Sequence, residues 1–135
     1  MTGPLAGIRI VDCSQIVSGP MACQMLGDQG AEVIKVEALS GDDTRIWGTH
    51  YFRSANRGKK SIAVNLKDKR GQKIVQKLAA QSDILLENFK VGDLVRYGLD
   101  YETLSKENPG LLYLSVTGFG QTGPYRHRLG YDPIF

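Results

Sequence analysis

Short apolar runs alternate with helical segments along this chain, and this alternation constrains its fold more than any other feature. Runs rich in apolar and β-branched residues predict five strands, at 8–12, 32–37, 61–66, 83–89 and 111–116. Apolar spacing and punctuating residues predict helices between them, at 21–28, 68–81, 92–97 and 101–107. An alternating β/α pattern of this kind predicts a parallel, doubly wound α/β sheet with helices on both faces.

The first helix and one long interval carry more specific expectations. Ser18 is expected to cap the helix N-terminus before Pro20, and Gly30 is expected to cap its C-terminus. The interval 39–55 is polar, contains glycine and has no apolar period, so we predict a loop there. The aromatic residues Trp47 and Tyr51 within it indicate that this loop packs against something.

Composition narrows the class of protein. A length of 135 residues fits one domain, and 41% hydrophobic with 23% charged residues is ordinary for a soluble protein. No apolar stretch approaches the about 20 residues that span a bilayer, and the N-terminus does not resemble a signal peptide, so we expect a cytoplasmic protein that does not enter a membrane. Cys13 and Cys23 are too few for a disulfide scaffold or a metal site and are expected to be buried.

Charge gives a weaker signal. The net charge of +3 does not by itself indicate a nucleic-acid partner, and none is expected. Seven basic residues crowd into 57–73, and this cluster fits either a solvated surface or an anionic ligand.

The segment 118–123 reads Gly-Phe-Gly-Gln-Thr-Gly, the G-x-G-x-x-G pattern of a dinucleotide-binding turn, and it follows a predicted strand. Such a turn works when its third glycine opens a helix whose N-terminus faces the pyrophosphate. Here 124–130 has no helical period and ends in Gly130. The acidic residue expected about twenty positions later would lie beyond Phe135. We therefore do not expect NAD at this segment.

Ligands of such sheets bind outside the carboxyl ends of the strands, a rule that selects the loops 13–19, 37–45, 66–67, 88–92 and 117–123. Lys67 lies past a strand and at a helix start, where a phosphate would meet an ammonium and backbone donors. Asn88 and Phe89 offer an amide and an aromatic face, although an Asx turn and core packing explain them equally well. Together with Arg96, they describe a site for a phosphorylated ligand with an aromatic head, such as a nucleotide or coenzyme A.

Several short motifs then occur in a familiar order. They are PLAGIRIVD at 4–12, SGP at 18–20, GAEVIKVE at 30–37, GDDTR at 41–45, NRGKKS at 56–61, ENF at 87–89, GLDY at 98–101, NP at 108–109 and the run 115–125. This order resembles the family III CoA-transferases, also called the CaiB/BaiF type, and the match covers essentially the whole chain. The resemblance implies a Rossmann-like sheet in which 1–135 is the N-terminal, CoA-binding part of the large domain. It also implies an interlocked homodimer for the full-length protein.

The same resemblance implies an activity, the transfer of coenzyme A between an acyl-CoA and a small carboxylic acid. In this family an aspartate carboxylate attacks the thioester, which gives a mixed anhydride and then an enzyme-bound CoA thioester. That aspartate is expected beyond Phe135, since none of Asp12, Asp83 or Asp132 occupies its motif. The 135 residues alone are therefore expected to hold part of the coenzyme without performing the reaction.

Matching positions assign a coenzyme and acyl site by resemblance. The residues expected to border or bind the coenzyme are Ile16, Val17, Lys67, Asn88, Phe89, Lys90 and Arg96. Some members carry a glutamine where Val17 stands and an arginine where Ala38 stands, so the three cations are expected to provide more of the phosphate binding here. Tyr131 matches an active-site tyrosine of the transferases.

Tyr131 also separates two enzyme classes that share these motifs. The α-methylacyl-CoA racemases place a histidine at this position as an acid/base group, and a tyrosine hydroxyl replaces it poorly at neutral pH. His50 and His127 lie elsewhere in the sequence. The transferase is therefore favoured over the racemase, and a non-catalytic coenzyme-binding protein remains a third possibility. No metal is expected.

Overall fold

One five-stranded sheet organises the computed structural model, which describes residues 2–131. Its strands are β1 (Arg9–Asp12), β2 (Glu32–Glu37), β3 (Lys60–Ala63), β4 (Ile84–Glu87) and β5 (Leu112–Ser115). All neighbours pair in parallel, in the order β3-β2-β1-β4-β5. The predicted parallel α/β sheet is therefore confirmed. The largest boundary error is at β3, which ends three residues before Leu66 because the chain turns at Asn65.

Helices cover both faces of this sheet. They are α1 (Ser18–Asp28), α2 (Thr44–Trp47), α3 (Thr49–Asn56), α4 (Lys69–Ala80) and α5 (Tyr101–Glu107). Cys23 of α1 packs with Ile10 of β1 in one core cluster. Val75 of α4 and Leu104 of α5 pack with Val11 of β1 in the other. Successive residues of β1 thus point into different cores, which makes the sheet doubly wound, as predicted.

Helix α4 shows how local sequence sets an element. Asp68 caps its N-terminus, and the Asp68 carboxylate accepts the Arg70 N–H at 2.9 Å. Val75 and Ala79 are buried on one side of the helix, whereas Lys73 and Lys77 are exposed on the other. The predicted amphipathic helix 68–81 is confirmed, with its first and last residues serving as caps.

The prediction of a loop over 39–55 is wrong. This interval forms α2 and α3, which are separated by Gly48 at a φ of 140°. The break at Gly48 divides the interval into two short helices of four and eight residues, so no apolar period runs through the whole interval. The expected packing of the aromatic residues is local: Trp47 and Tyr51 meet edge to face, 6.4 Å between ring centroids.

Two predicted caps are displaced by one residue, and one predicted helix is reduced. Ser18 is the first residue of α1 rather than its cap, and no side chain caps this N-terminus at Val17. The C-terminal cap of α1 is Gln29, and Gly30 follows it at a φ of 106°. The predicted helix at 92–97 contains one 3-10 turn, Val95–Tyr97.

Both cysteines are buried and remain free thiols, as expected. Within residues 2–131, no helix has the length and apolar character needed to cross a membrane.

Candidate functional site

The carboxyl ends of all five strands lie at one edge of the sheet. From β1 the chain moves outward to β2 and β3, and it then returns to β4 on the other side of β1. Such a switch point leaves a crevice between the loops that follow the two central strands. In this protein these are the β1–α1 loop, residues 13–17, and the β4 loop, residues 88–92. Most of the residues expected to line a coenzyme belong to these two loops.

Asn88 joins the two loops directly. Its Oδ1 accepts the Gln15 N–H at 2.8 Å, and its Nδ2 donates to the Gln15 carbonyl oxygen at 2.8 Å. This pair of bonds pins the β1–α1 loop against the end of β4. Asn88 thus makes neither a local Asx turn nor a purely solvent contact. It fixes the distance between the β1–α1 loop and the β4 loop.

Phe89 and Glu87 flank Asn88, and both make contacts within the protein. Phe89 packs against the larger core cluster, and its N–H donates to Glu87 Oε2 at 2.8 Å. The Glu87 carboxyl is buried at the end of β4, and this burial raises its pKa even though the Ser115 hydroxyl and the Phe89 N–H bind it. Phe89 therefore takes part in core packing, which is one of the two roles expected for it from the sequence.

A buried ion pair stabilises the β1–α1 loop where it leaves β1. Lys59 Nζ lies 2.7 Å from Asp12 Oδ2, and both side chains are almost fully buried. The same ammonium donates to the Pro20 carbonyl oxygen and to Asn56 Oδ1. The other carboxylate oxygen of Asp12 accepts from the N–H and the hydroxyl of Ser14. Together these bonds tie the end of β1 to the start of α1.

A second buried pair holds the loop from the side of β2. Lys35 Nζ lies 3.0 Å from Asp42 Oδ2, and each side chain is only 1% exposed. Lys35 Nζ also donates to the Ser14 carbonyl oxygen at 2.9 Å, and Asp42 Oδ2 accepts the Ile16 N–H at 3.3 Å. The pair therefore contacts the loop at two residues, on either side of Gln15.

Ile16 has an unusual backbone. Its φ is 71°, the sole positive value at a non-glycine residue in the described part of the chain. A β-branched residue in this region is an outlier that costs on the order of 1–3 kcal/mol and persists only where its surroundings enforce it. The bonds from Asn88, Lys35 and Asp42 provide that enforcement.

Glu37, the last residue of β2, forms a third ion pair at the carboxyl edge of the sheet, with Arg45. Burial alone would raise the pKa of its carboxyl, but Arg45, the Ser61 hydroxyl and the Asp42 N–H outweigh burial and lower the pKa to about 2. Arg45 binds both carboxylate oxygens at 2.7 Å, and its guanidinium also lies over the Phe52 ring, 3.6 Å from the centroid. Glu37 thus anchors α2 to the end of β2.

The three predicted phosphate-binding cations are all exposed. Lys90 lies in the β4 loop. Arg96 pairs with Asp93 at 3.6 Å and lies over the Tyr97 ring. Lys67 follows β3, but its N–H donates to Asn65 Oδ1, and Asp68 already occupies the N-terminus of α4. The N–H groups of Lys67 and Arg70 are therefore already bonded within the protein.

A cleft of about 480 Å³ opens beside the β4 loop, at the ends of β4 and β5. It is lined by Glu87, Lys90, Val91, Gly92, Leu94, Val95, Asp100, Tyr101, Tyr113, Ser115 and Gln121. Of the predicted site residues, Lys90 alone lines this cleft. The mixture of aromatic, apolar and polar side chains suits an elongated organic ligand better than a bare ion.

The segment 118–123 forms a loop after β5, and no helix follows it in the described residues up to 131. The Thr117 hydroxyl oxygen accepts the Gly120 N–H at 2.9 Å, and Phe119 meets Tyr125 edge to face. The helix that a dinucleotide-binding turn requires is therefore missing at Gly123. Tyr131 ends the described chain with a side chain that is 57% exposed. No hydrogen bond among residues 2–131 links Lys67, Arg96 or Tyr131 to the Asn88–Gln15 contact.

Four residues that shape the site carry no individual role in the expectations from the sequence: Lys35, Asp42, Lys59 and Arg45. Lys35 offered a signal, because a lysine inside an apolar strand that is covered on both faces must find a buried partner. The partner itself, Asp42, could not be identified, since it lies beyond the strand in a loop. Within residues 2–131, no three His, Cys, Asp or Glu side chains converge in a way that could hold a metal ion.

Comparisons with known proteins agree on one group. The sequence model of CoA-transferase family III matches residues 5–135. A succinyl-CoA:glutarate CoA-transferase from Mus musculus is 53% identical, over 97% of this chain and 32% of its own. A succinate–glutarate CoA-transferase from Agrobacterium fabrum is 48% identical, over 97% of this chain and 36% of its own. The chain thus spans about a third of the length of these relatives.

Solved structures give the same result. The crystal structure of a CAIB/BAIF family protein from Brucella suis superimposes with a TM-score of 0.95 and 47% identity. It covers 98% of this chain, and this chain covers 38% of that structure.

Proposed function

Because the chain belongs to CoA-transferase family III, we propose that it forms the coenzyme-binding part of an enzyme that moves coenzyme A between an acyl-CoA and a carboxylic acid. The names of the relatives described above carry succinate or succinyl-CoA together with glutarate. We therefore propose dicarboxylic acids as the substrate class, with succinyl-CoA and glutarate as the first pair to test.

The observation that best supports a coenzyme site is the contact between Asn88 and Gln15. It brings the β1–α1 loop and the β4 loop together at the switch point, where open α/β sheets bind their ligands. Ile16 and Val17 then stand on one side of the crevice, and Phe89 and Lys90 on the other. In this proposal, Asn88 orients the loops, and the neighbouring residues contact the coenzyme.

Lys90 and Arg96 are the proposed phosphate contacts. Both are exposed on the chain segment that begins at the β4 loop. Lys67 is a third candidate through its ammonium alone. Coenzyme A carries a pyrophosphate and a 3′-phosphate, so cations on more than one loop suit its charge.

The nucleophile is proposed to come from outside these 135 residues. Asp12 is fully buried and engaged by Lys59 and Ser14, which argues against an attack on a substrate. Asp83 lies directly before β4, at the opposite edge of the sheet, and accepts the Arg9 N–H. Asp132 lies outside the described residues. We propose that an aspartate elsewhere in the full-length protein forms the anhydride and the CoA thioester, while Tyr131 borders the reaction. The chain alone should bind coenzyme without transferring it.

The interlocked homodimer and the cytoplasmic location remain predictions from the sequence. Tyr131, in place of the histidine of the racemases, favours the transferase in this proposal.

Calorimetric titration with coenzyme A tests the binding site. Wild type should bind one equivalent. Lys90→Ala and Arg96→Ala should each raise the Kd about tenfold, the size expected for one charge-assisted hydrogen bond. Lys106→Ala removes an exposed lysine from the far end of α5 and should leave the Kd unchanged. Equal effects of all three changes would point to a nonspecific charge effect and against this site.

Transfer needs the full-length protein. Incubation with succinyl-CoA and glutarate should yield glutaryl-CoA by mass spectrometry, and hydroxylamine should trap a modified aspartate. Deuterium exchange at the α-carbon of a 2-methylacyl-CoA, without transfer, would instead favour a racemase.

A further inference from the structure

The β1–α1 loop is held by side chains from two neighbouring strands and their loops at three consecutive residues. The Ser14 carbonyl oxygen accepts from Lys35 Nζ. Gln15 is bound through both its N–H and its carbonyl oxygen by Asn88. The Ile16 N–H donates to Asp42 Oδ2. Such fixation at three consecutive residues is notable in a loop, since loops are usually the mobile part of a fold.

Asp42 is itself oriented before it meets the loop. Its N–H donates to Glu37 Oε2 at 3.0 Å. Its Oδ1 accepts the Thr44 N–H at 2.9 Å and the Thr44 hydroxyl at 2.7 Å. The other oxygen, Oδ2, is left to bind Lys35 and Ile16. The two oxygens of the Asp42 carboxylate therefore have separate roles. Oδ1 binds Thr44, the first residue of α2, and Oδ2 binds the β1–α1 loop at Ile16.

Stability alone does not explain this arrangement. A buried ion pair roughly breaks even against apolar residues of the same volume, because the desolvation of two charges offsets their attraction. The strained backbone of Ile16 adds a further cost. A costly arrangement at a ligand-binding edge indicates that the position of the loop matters for function.

We propose that Lys35 and Asp42 are positioning residues that hold Ile16 in its left-handed conformation, so that Ile16 and Val17 meet the coenzyme in a fixed place. This inference rests on the proposed function for its ligand. Val17, which follows the strained residue, is 41% exposed and is therefore open to a ligand. Neither Lys35 nor Asp42 touches the coenzyme in this account. They act through the backbone of the loop.

The double variant Lys35→Met/Asp42→Asn separates positioning from folding. It removes both charges together, so no charge is left buried alone, and the amide oxygen introduced at position 42 can still accept both bonds from Thr44. The Lys35 bond to Ser14 and the Asp42 bond to Ile16 are lost. The matched control is Asp28→Asn/Arg57→Met, which removes an exposed ion pair at the far end of α1.

Two readouts decide the outcome. In the double variant, the amides of residues 14–17 should exchange with deuterium about tenfold faster or more, while those of β1 and β4 stay protected. The Kd for coenzyme A should rise about tenfold, with a thermal midpoint close to that of wild type. The control should change neither readout. Wild-type exchange at 14–17 together with a wild-type Kd would overturn the proposal.

Ile16→Gly gives an independent test if the double variant does not fold. It keeps Lys35, Asp42 and the N–H at position 16, and glycine adopts a φ of 71° without strain, so the bonds should hold the loop at least as firmly and exchange at 14–17 should not rise. Faster exchange at 14–17 in this variant would contradict the proposal, because the bonds to Lys35 and Asp42 would then not suffice to hold the loop. If wild type binds no coenzyme A at all, the proposed function fails, and exchange at 14–17 still decides whether Lys35 and Asp42 hold the loop.

Discussion

Buried charges, more than apolar contacts, fix the individual residues at the carboxyl edge of this sheet. Lys59 pairs with Asp12, Lys35 with Asp42, and Arg45 with Glu37. The two fully buried pairs, Lys59–Asp12 and Lys35–Asp42, add little net stability, because burying two charges is expensive; in the third pair Arg45 is 43% exposed. Loss of one partner costs far more than the pair contributes, since the other charge then stays buried and unpaired.

Adjacent lysines provide a direct test at the residue scale. Lys59→Met leaves the Asp12 carboxylate buried without a counter-ion and should lower the free energy of unfolding by about 3–5 kcal/mol. Lys60 is 72% exposed and pairs at the surface with Glu32, so Lys60→Met should cost less than about 1 kcal/mol. Urea unfolding at pH 7 measures both values. Similar losses in the two variants would refute the assignment of Lys59 as the buried partner.

Glu37 should make stability depend on pH. Its pKa in the folded protein, about 2, lies below the ordinary value of 4.5, so the ionised form favours folding. This stabilisation is complete above about pH 5 and is lost as the pH falls toward 2, a change of about 3 kcal/mol. Glu37→Gln should flatten that part of the stability curve. Glu107→Gln, which alters an exposed residue at the end of α5, should leave the curve's shape unchanged. The two curves can be measured by urea unfolding between about pH 2.5 and 7, a range that covers most of the expected change.

Some residues of the candidate site could be predicted from the sequence, whereas the ion pairs that support it could not. The sequence placed Asn88 and the β1–α1 loop at the carboxyl ends of strands, because ligands of parallel sheets bind at that edge. It could not pair Lys35 with Asp42 or Lys59 with Asp12. Those contacts depend on where loops fold back over strand ends, and local patterns do not encode that path.

At the scale of elements, helix α4 and the strands followed the expected patterns, whereas α2 and α3 did not. Long amphipathic helices carry their period in the sequence, and buried parallel strands show as short apolar runs. The interval 39–55 shows neither signal, although it forms the short helices α2 and α3. Their positions are set here by tertiary contacts such as Arg45 with Glu37 and by the break at Gly48.

Gly71 tests how closely α4 packs on the chain after β3. A Cβ at Gly71 would overlap the carbonyl oxygen of Asn65, which belongs to the turn that ends β3. Glycine-to-alanine changes inside helices usually stabilise by about 0.5–1 kcal/mol, but Gly71→Ala should destabilise by about 1–3 kcal/mol or more.

Gly110→Ala is the matched control. Its nearest neighbour would be 3.7 Å away, so the change should stay within about 0.5 kcal/mol. Thermal unfolding compares the two variants. A stabilised Gly71→Ala protein would show that α4 does not approach Asn65 this closely.

At the scale of the whole molecule, strand order divides the protein into two edges with different properties. The carboxyl edge holds the contact between the β1–α1 loop and the β4 loop, the strained Ile16 and the cleft beside Lys90. The amino edge has a cavity of its own, about 590 Å³, lined by Gly7, Arg9, Gly30, Glu32, Gln81 and Asp83. That cavity is polar and lies away from every residue that the sequence assigned to the coenzyme. The fold was predictable, because alternation of strands and helices dictates a parallel sheet. The carboxyl edge as the ligand-binding edge stays a prediction. Of the residues that line the cleft at the ends of β4 and β5, Lys90 alone was among the predicted site residues, since the lining depends on side-chain conformations.

The most direct test of the account is to titrate coenzyme A into isotope-labelled protein and follow the backbone amide signals by NMR. Saturable shifts should cluster in the β1–α1 loop, residues 13–17, and in the β4 loop, residues 88–92, with further changes near Arg96. Residues 7–9 and 81–83 at the amino edge should not respond. No saturable shift, or shifts concentrated at the amino edge, would contradict a coenzyme site in the crevice between β1 and β4.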